Sequence, residues 1–534
     1  MCGIFALLKK LGKISDEEYT KYVLYSEKIK HRGPDNTKYL TLNEQKLIFG
    51  FHRLSINDVS SAGDQPLILD DRYFLICNGE IYNHNELITD NNFKTKSKSD
   101  CEVILHLYKK YGIKKTLELI SGYFAFAIWD NQLEKLIIAR DPVGVRALYF
   151  GESDKEISIC SEMKGIPDNL LVKQFTPGCW WENGIYYRYY NYEYPLICLK
   201  DTTIDYQLSH IRDMFEKAVN KRFMFDRPFG VFLSGGFDSS IVAALVAKKN
   251  GSEPIHSFSI GMKGSTDLYN AQIVANHIKS NHTEVIKESE QMLNAIEEVI
   301  YYTETYDTTT VRASTPMYLL SKHIKENTDI VVVFSGEGSD EASGSYLYFH
   351  NAPDNEAFQD ECVRLIKDLH YFDCLRCDKS TASNGLEVRC PFLDKEFLQD
   401  YMSLPIEWKR PKDGIEKWFI RKAFDGTGLL PDEILWRKKE AFSDGVSSTE
   451  KSWFQIIQEH VDSKVSDNEF IMNKDKFEIN KPHLKESYYY RKIFDSLYPH
   501  KADTIPYYWL PKWSGNTNDP SARVLKIYND LDNL

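Results

Sequence analysis

The sequence predicts two domains of different class, an α+β layer structure followed by an α/β domain built on a parallel sheet, and three observations lead there. A chain of 534 residues exceeds what one hydrophobic core organises. Its first third is dense in short β-type runs, at 47–51, 73–77, 123–129, 136–139, 147–150 and 157–160, each bounded by Gly, Asn, Asp or Pro. Helical patterns there are confined to 16–30 and 101–111, which suits a largely antiparallel sheet. From residue 206 apolar strands alternate with amphipathic helices: helix 206–222, strand 229–233, helix 239–249, strand 255–260, helices 268–280, 289–302 and 316–325, then strand 330–334. Such alternation indicates a doubly wound parallel sheet. Beyond Tyr348 the pattern is mainly helical. The expected domains are 2–198 and 199–513, with a polar, loosely ordered tail at 514–534.

Composition narrows the function classes. A net charge of -12 lacks the basic footprint of nucleic-acid binding. Ten cysteines at irregular spacing are too sparse for a disulfide framework and fit reduced thiols. Cys374-x-x-Cys377 finds no second Cys or His pair at zinc-site spacing. The apolar run after Met1 is too short for a secretory signal, and the apolar stretches are of strand length. A cytoplasmic address with small-molecule substrates is therefore expected, with no nucleic acid and no membrane, and with room for a homodimer.

The N-terminal residues carry a candidate nucleophile. Once Met1 is removed, Cys2 has its own α-amine, pKa ~7.7–8.0, beside its thiol, so one residue supplies nucleophile and base. Asn78-Gly79-Glu80 follows an expected strand and offers a side-chain amide and a backbone N–H to an oxyanion. Arg53 can clamp a carboxylate and Asp100 can take an ammonium. Singly, each of these reads as a salt-bridge or turn residue. Together they answer glutamine's carboxylate, ammonium and amide. The stretches Met1–Phe5, His31–Asp35, His52–Ile56, Cys77–His84 and Ser99–Glu102 resemble the glutaminase domain of N-terminal-nucleophile amidotransferases. The resemblance implies a four-layer αββα fold, glutamine hydrolysis through a thioester on Cys2 with Asn78 and Gly79 as oxyanion donors, and glutamine held by Arg53, Leu54, Ser55, Ile56, Asn57, Asn78, Gly79, Glu80 and Asp100. Taken alone, this domain also fits glucosamine-phosphate synthase or the purine amidotransferase.

The second half carries a candidate nucleotide site. Ser234-Gly235-Gly236-Phe237-Asp238-Ser239-Ser240 lies between an expected strand and helix, so consecutive N–H groups and a helix start form an anion nest. No Walker lysine follows. Ser335-Gly336-Glu337-Gly338-Ser339-Asp340-Glu341 ends another parallel strand, which places both glycine turns at the carboxyl side of the sheet. Its three acids read as solvated surface in isolation, and as Mg²⁺ and substrate groups beside a nucleotide. The first turn is similar to the PP-loop of ATP pyrophosphatases. The segments Thr308–Pro316, Tyr346–Pro353, Asp373–Arg376, Gly385–Asp394 and Trp436–Gly445 resemble the asparagine synthetase family.

That resemblance implies ATP as a substrate, held by Leu233, Ser234, Gly235, Gly236, Asp238, Ser239, Ile260, Ser335, Gly336 and Lys439. It further implies Mg²⁺ on Asp238 and Asp340, and aspartate on Thr309, Arg312, Glu341, Asp373 and Arg376. Glu337 is the implied catalytic carboxylate. The implied reaction joins aspartate to AMP, releases pyrophosphate, and lets ammonia from glutamine, carried through an internal tunnel, displace AMP. The chain departs from the family pattern at Phe237 (usually Leu), at Ala342-Ser343-Gly344-Ser345 (usually Val-Phe-Gly-Gly) and at Cys390 (usually Val). The first two bear on how tightly the loops pack on ATP. Three rivals remain at this level: a ligase for another carboxylate, separable by a substrate screen; a glutaminase with an inactive second domain, separable by pyrophosphate release; and a non-enzymatic scaffold, which would tolerate substitution in both sites.

Overall fold

The computed structural model describes residues 1–448 and 450–531, so the last three residues of the expected tail, 532–534, lie outside the described residues. The chain divides into two compact units. The first gathers Met1–Asn191 with two later segments, Phe223–Pro228 and Thr381–Glu387. The second takes Tyr192–Arg222, Phe229–Ser380 and the described part of Val388–Leu534.

The first unit is two six-stranded antiparallel sheets with helices outside them. In one, Gly3–Lys9 lies between Leu47–Arg53 and Glu156–Cys160. In the other, Tyr73–Ile81 lies between Gly122–Asp130 and Leu67–Leu69. Strand side chains alternate faces, and the apolar residues divide accordingly. Phe74, Ile76, Ala125, Ala127 and Trp129 pack with Ile4, Ala6, Phe49 and Phe51 in the layer between the sheets. Leu75, Cys77, Phe124, Phe126 and Ile128 face Ile104, Leu107 and Leu117 of helix Glu102–Leu119. That helix kinks at Gly112, whose φ is 76°. Helix Asp16–Glu27 starts with a capping box, Ser15 accepting from the Glu18 N–H while Glu18 accepts from the Ser15 N–H. The expected αββα layering is thus present. Strand Gly3–Lys9 was not expected, because a continuous apolar run has no period by which to read it.

The second unit contains a five-stranded sheet in the order Asn281–Ile286, His256–Gly261, Phe229–Phe232, Val332–Phe334, Glu387–Arg389. The first four pair in parallel. Asn281–Ile286 escaped the sequence reading because it is an edge strand, largely exposed and without apolar alternation. A second correction concerns the helix expected at Pro316. It begins at Thr308, where Asp307 caps it by accepting from both the N–H and the hydroxyl of Thr310 at 2.9 and 2.8 Å. Proline suits a first turn, but here it lies inside the helix. Thr309 and Arg312 therefore sit on helix, not on the loop before one. Part of the expected tail packs on the second unit, since Asp519 pairs with Arg312 and Ser521 is buried. Among the described residues no helix is long and apolar enough to cross a membrane.

Candidate functional site

In the first unit, the pairing of Gly3 with His52 brings Cys2 beside the chain just past Arg53. The Leu54 N–H donates to Cys2 Sγ at 3.4 Å, and the thiol donates to the Leu54 carbonyl at 3.6 Å. The Met1 ammonium donates to the Leu386 carbonyl at 3.2 Å, and burial pulls its pKa down to about 5. Burial likewise pushes the Cys2 thiol up to about 11.

Asn78 is 1% exposed, and its side-chain Nδ2 has no hydrogen-bond partner among the described residues. A buried donor left open is costly. Nearby groups on the same strand are tied together. Asn57 Nδ2 donates to Glu80 Oε2 at 2.5 Å and to Asp100 Oδ1 at 3.3 Å, while Asp100 Oδ2 accepts from the Ile81 N–H at 2.6 Å. Burial raises the Asp100 carboxyl, against the Ile81 donation that lowers it. Gly79 contributes a carbonyl that accepts from Cys101 Sγ at 3.5 Å. Ser55 donates its N–H to Asp35, and the Ile56 carbonyl accepts from the Asp226 N–H at 2.9 Å. Arg53 spends its Nη atoms within its own loop, on the Ser60 carbonyl at 2.7 Å, Asp64 at 2.6 Å and the Asp58 carbonyl.

In the second unit a cavity of about 190 Å³ opens at the carboxyl ends of Phe229–Phe232 and Val332–Phe334. Its lining includes Leu233, Ser234, Gly236, Asp238, Ser239, Ile260, Ser335, Gly336 and Lys439 of the expected nucleotide set. Gly235 stands behind, with φ +73° and an ideal Cβ position 2.4 Å from the Ala271 nitrogen, so only glycine fits there. Gly336 lets the two turns meet, since a Cβ on it would lie 2.6 Å from the Asp238 carbonyl carbon. The Ser239 and Ser234 hydroxyls are 3.0 Å apart, and Ser239 Oγ accepts from the Ser234 N–H at 3.1 Å. The loop is thereby shaped before any ligand enters.

Glu337, Thr309, Asp373 and Arg376 also line the cavity. Arg376 bridges Glu337 and Asp373, the latter at 2.7 Å. Burial pushes Glu337 up to about 7 despite Arg376 beside it. Thr309 Oγ1 is buried without a partner among the described residues. Asp238 and Asp340 share the ammonium of Lys417, and Asp340 also binds that of Lys439.

Two residues expected on the aspartate lie elsewhere. Glu341 is buried behind the cavity and accepts from the Tyr346 hydroxyl, with burial and Asp373 holding its carboxyl well above the usual range. Arg312 does not line the cavity. Its guanidinium grips Glu486 through Nε at 2.8 Å and Nη2, and Asp519 through Nη1 at 2.8 Å. Replacing Arg312 by Met would leave two carboxylates in a buried place without their cation. We expect a loss of about 3–5 kcal/mol, read as an earlier urea unfolding transition; an unchanged midpoint would contradict this account.

The departures from the family pattern have local explanations. Phe237 is buried with the Arg421 guanidinium 4.9 Å over its ring, and Arg421 is fixed by the Glu416 and Leu435 carbonyls. Ser345 donates to Asp340 Oδ1 at 2.6 Å. Cys390 lies 3.9 Å, sulfur to sulfur, from Cys377. The residue that sequence reasoning missed is Lys417. It belongs to no motif, and only tertiary folding brings it to two acids distant in sequence.

Comparison with known proteins gives a glutamine amidotransferase domain model matching residues 1–177 and an asparagine synthase model matching residues 210–360 and 353–524. Among curated relatives, the glutamine-hydrolysing asparagine synthetase of Bos taurus is 44% identical over 562 aligned residues, covering 99% of each chain. Those of Homo sapiens and Gallus gallus are each 44% identical, again over 99% of both chains.

Proposed function

Because the chain belongs to the glutamine-hydrolysing asparagine synthetase family, we propose that it makes asparagine from aspartate, ATP and glutamine, releasing glutamate, AMP and pyrophosphate. The cavity of the second unit carries this reading. It gathers both glycine turns, Glu337, Lys439, the Arg376 guanidinium and a Thr309 hydroxyl without a partner among the described residues around one space.

In the first unit, Cys2 attacks the side-chain amide of glutamine, and Asn78 Nδ2 with the Gly79 N–H receives the oxyanion. The open Nδ2 supports this role, since an oxyanion supplies the partner it lacks. Residues Leu54–Asn57, Glu80 and Asp100 hold glutamine, with the acids on its ammonium. Arg53 supplies positive charge for its carboxylate from the place where it also fixes the loop to Asp64.

In the second unit, the turn from Ser234 to Ser239 and Lys439 hold the phosphates, and Ile260 faces the base. Thr309 and Arg376 receive aspartate, whose carboxylate attacks the α-phosphorus to give β-aspartyl-AMP and pyrophosphate. Ammonia from the first unit then displaces AMP. Glu341 and Arg312 act from behind, the one through Tyr346 and the other by fixing the helix from Thr308. Asp238 and Asp340 suit Mg²⁺, which commonly takes one or two carboxylates and completes its shell with phosphate oxygens and water. When bound, the ion would neutralise phosphate charge. The decisive assay follows asparagine and pyrophosphate from aspartate and ATP with either glutamine or ammonium as donor; neither product forming from either donor would refute the proposal.

Processing of the first residue is a further expectation. With Met1 attached, the Cys2 nitrogen is an amide and cannot take the thiol proton, and the thiol itself is held up at about 11. The active enzyme should therefore start at Cys2. Intact-mass measurement on glutaminase-active protein would show it, and full activity with Met1 retained would exclude it.

A further inference from the structure

The cation between the two acids of the nucleotide site has a place in the fold that suggests more than charge balance. Lys417 precedes helix Trp418–Phe424 and holds a left-handed backbone, φ 59° and ψ 25°. A non-glycine residue enters that region at a cost, and such strain concentrates where a side chain must be aimed. Lys417 is 2% exposed, so its stem is walled in and its ammonium cannot swing out to solvent. The ammonium touches Asp238 Oδ2 and Asp340 Oδ1, the latter at 2.5 Å. The remaining oxygens are taken as well: Ser339 Oγ donates to Asp238 Oδ1 at 2.8 Å, and Lys439 binds Asp340 Oδ2.

From this geometry we propose that Lys417 is a tethered cation standing where a divalent ion binds, so that metal loading waits for the nucleotide. A divalent ion and an ammonium cannot share the same carboxylate oxygens at bonding distance. Two half-buried acids this close without either would repel each other. Lys417 keeps them together in the empty enzyme and releases them once phosphate oxygens offer its ammonium another anion. Lys417 is thus a positioning residue that sets an order of binding. The inference rests on the metal assignment to Asp238 and Asp340 given above.

The test titrates the full chain with Mn²⁺ and reads bound metal by water proton relaxation, with and without ATP and always without aspartate. The parent should bind Mn²⁺ weakly alone and at least about tenfold more tightly with ATP. Lys417→Met, of similar length but uncharged, should bind Mn²⁺ without ATP at least about tenfold more tightly than the parent. Lys417→Arg, which keeps the charge, should stay weak. A folding defect loosens metal binding and cannot produce this gain, and the urea unfolding midpoint of each variant reports its fold. Equal or weaker Mn²⁺ binding by Lys417→Met would overturn the proposal. Absence of bound Mn²⁺ in the parent even with ATP would instead overturn the metal assignment itself.

Discussion

Cys2→Ala should abolish asparagine formation from glutamine while leaving formation from ammonium salts near the parent rate. The thiol acts only in releasing ammonia, and removing a covalent nucleophile lowers its step by about 10³-fold or more. The lining of the second-unit cavity runs from Phe232 to Ser443 and includes no residue of the amidotransferase strands. Misfolding is not expected to blur the result. Loss of a single partly buried sulfur is a small deletion, costing about 1 kcal/mol, and strand Gly3–Lys9 is held on both sides by backbone pairing. Ammonia-dependent synthesis should also rise with pH, since free ammonia is the nucleophile. Parent-rate synthesis from glutamine by Cys2→Ala would show that another group performs the attack.

The complementary change is Glu337→Ala, which should stop pyrophosphate release while glutamine hydrolysis continues. A positioned acid–base group typically contributes 10²- to 10⁴-fold, so a drop of about that size is expected. Glu337 lies on the cavity and shares Arg376 with Asp373, so its removal also frees the guanidinium on which the aspartate is proposed to bind. The pH profile adds a check. Burial pushes the carboxyl up to about 7, so its ionised fraction grows as pH climbs through neutrality. Pyrophosphate release by the parent should rise over that interval, and the residual activity of Glu337→Gln should not follow it. Equal loss of both half-activities in a folded variant would argue against separate sites.

Much of this was legible in the sequence because glycine turns and short polar motifs are local. The Ser234–Ser239 and Ser335–Asp340 turns could be read with their strands, and both end on the cavity. What escaped depended on tertiary placement. Arg312 looks like an anion clamp beside three threonines, yet its partners Glu486 and Asp519 come from distant chain. Lys417 carries no local signal at all, and its meaning arises only from the two acids it meets. Edge strand Asn281–Ile286 and the helix running through Pro316 failed for the ordinary reason that local preference yields to packing.

The discontinuous make-up of the first unit bears on the order in which it can be completed during synthesis. Chains emerge from the ribosome N-terminus first, and domains tend to fold as they appear. Yet the loop following Arg53 needs Asp226, which exchanges bonds with Ile56 and Asp58, and the buried Arg146 guanidinium needs the Glu387 carboxylate, 3.6 Å from it. A nascent chain halted near residue 198 has all twelve strands of this unit but neither of those later segments. The first unit therefore cannot acquire its full set of contacts until much of the synthetase half has also been translated. Translation order itself delays a complete glutaminase until the domain that consumes its ammonia is largely made.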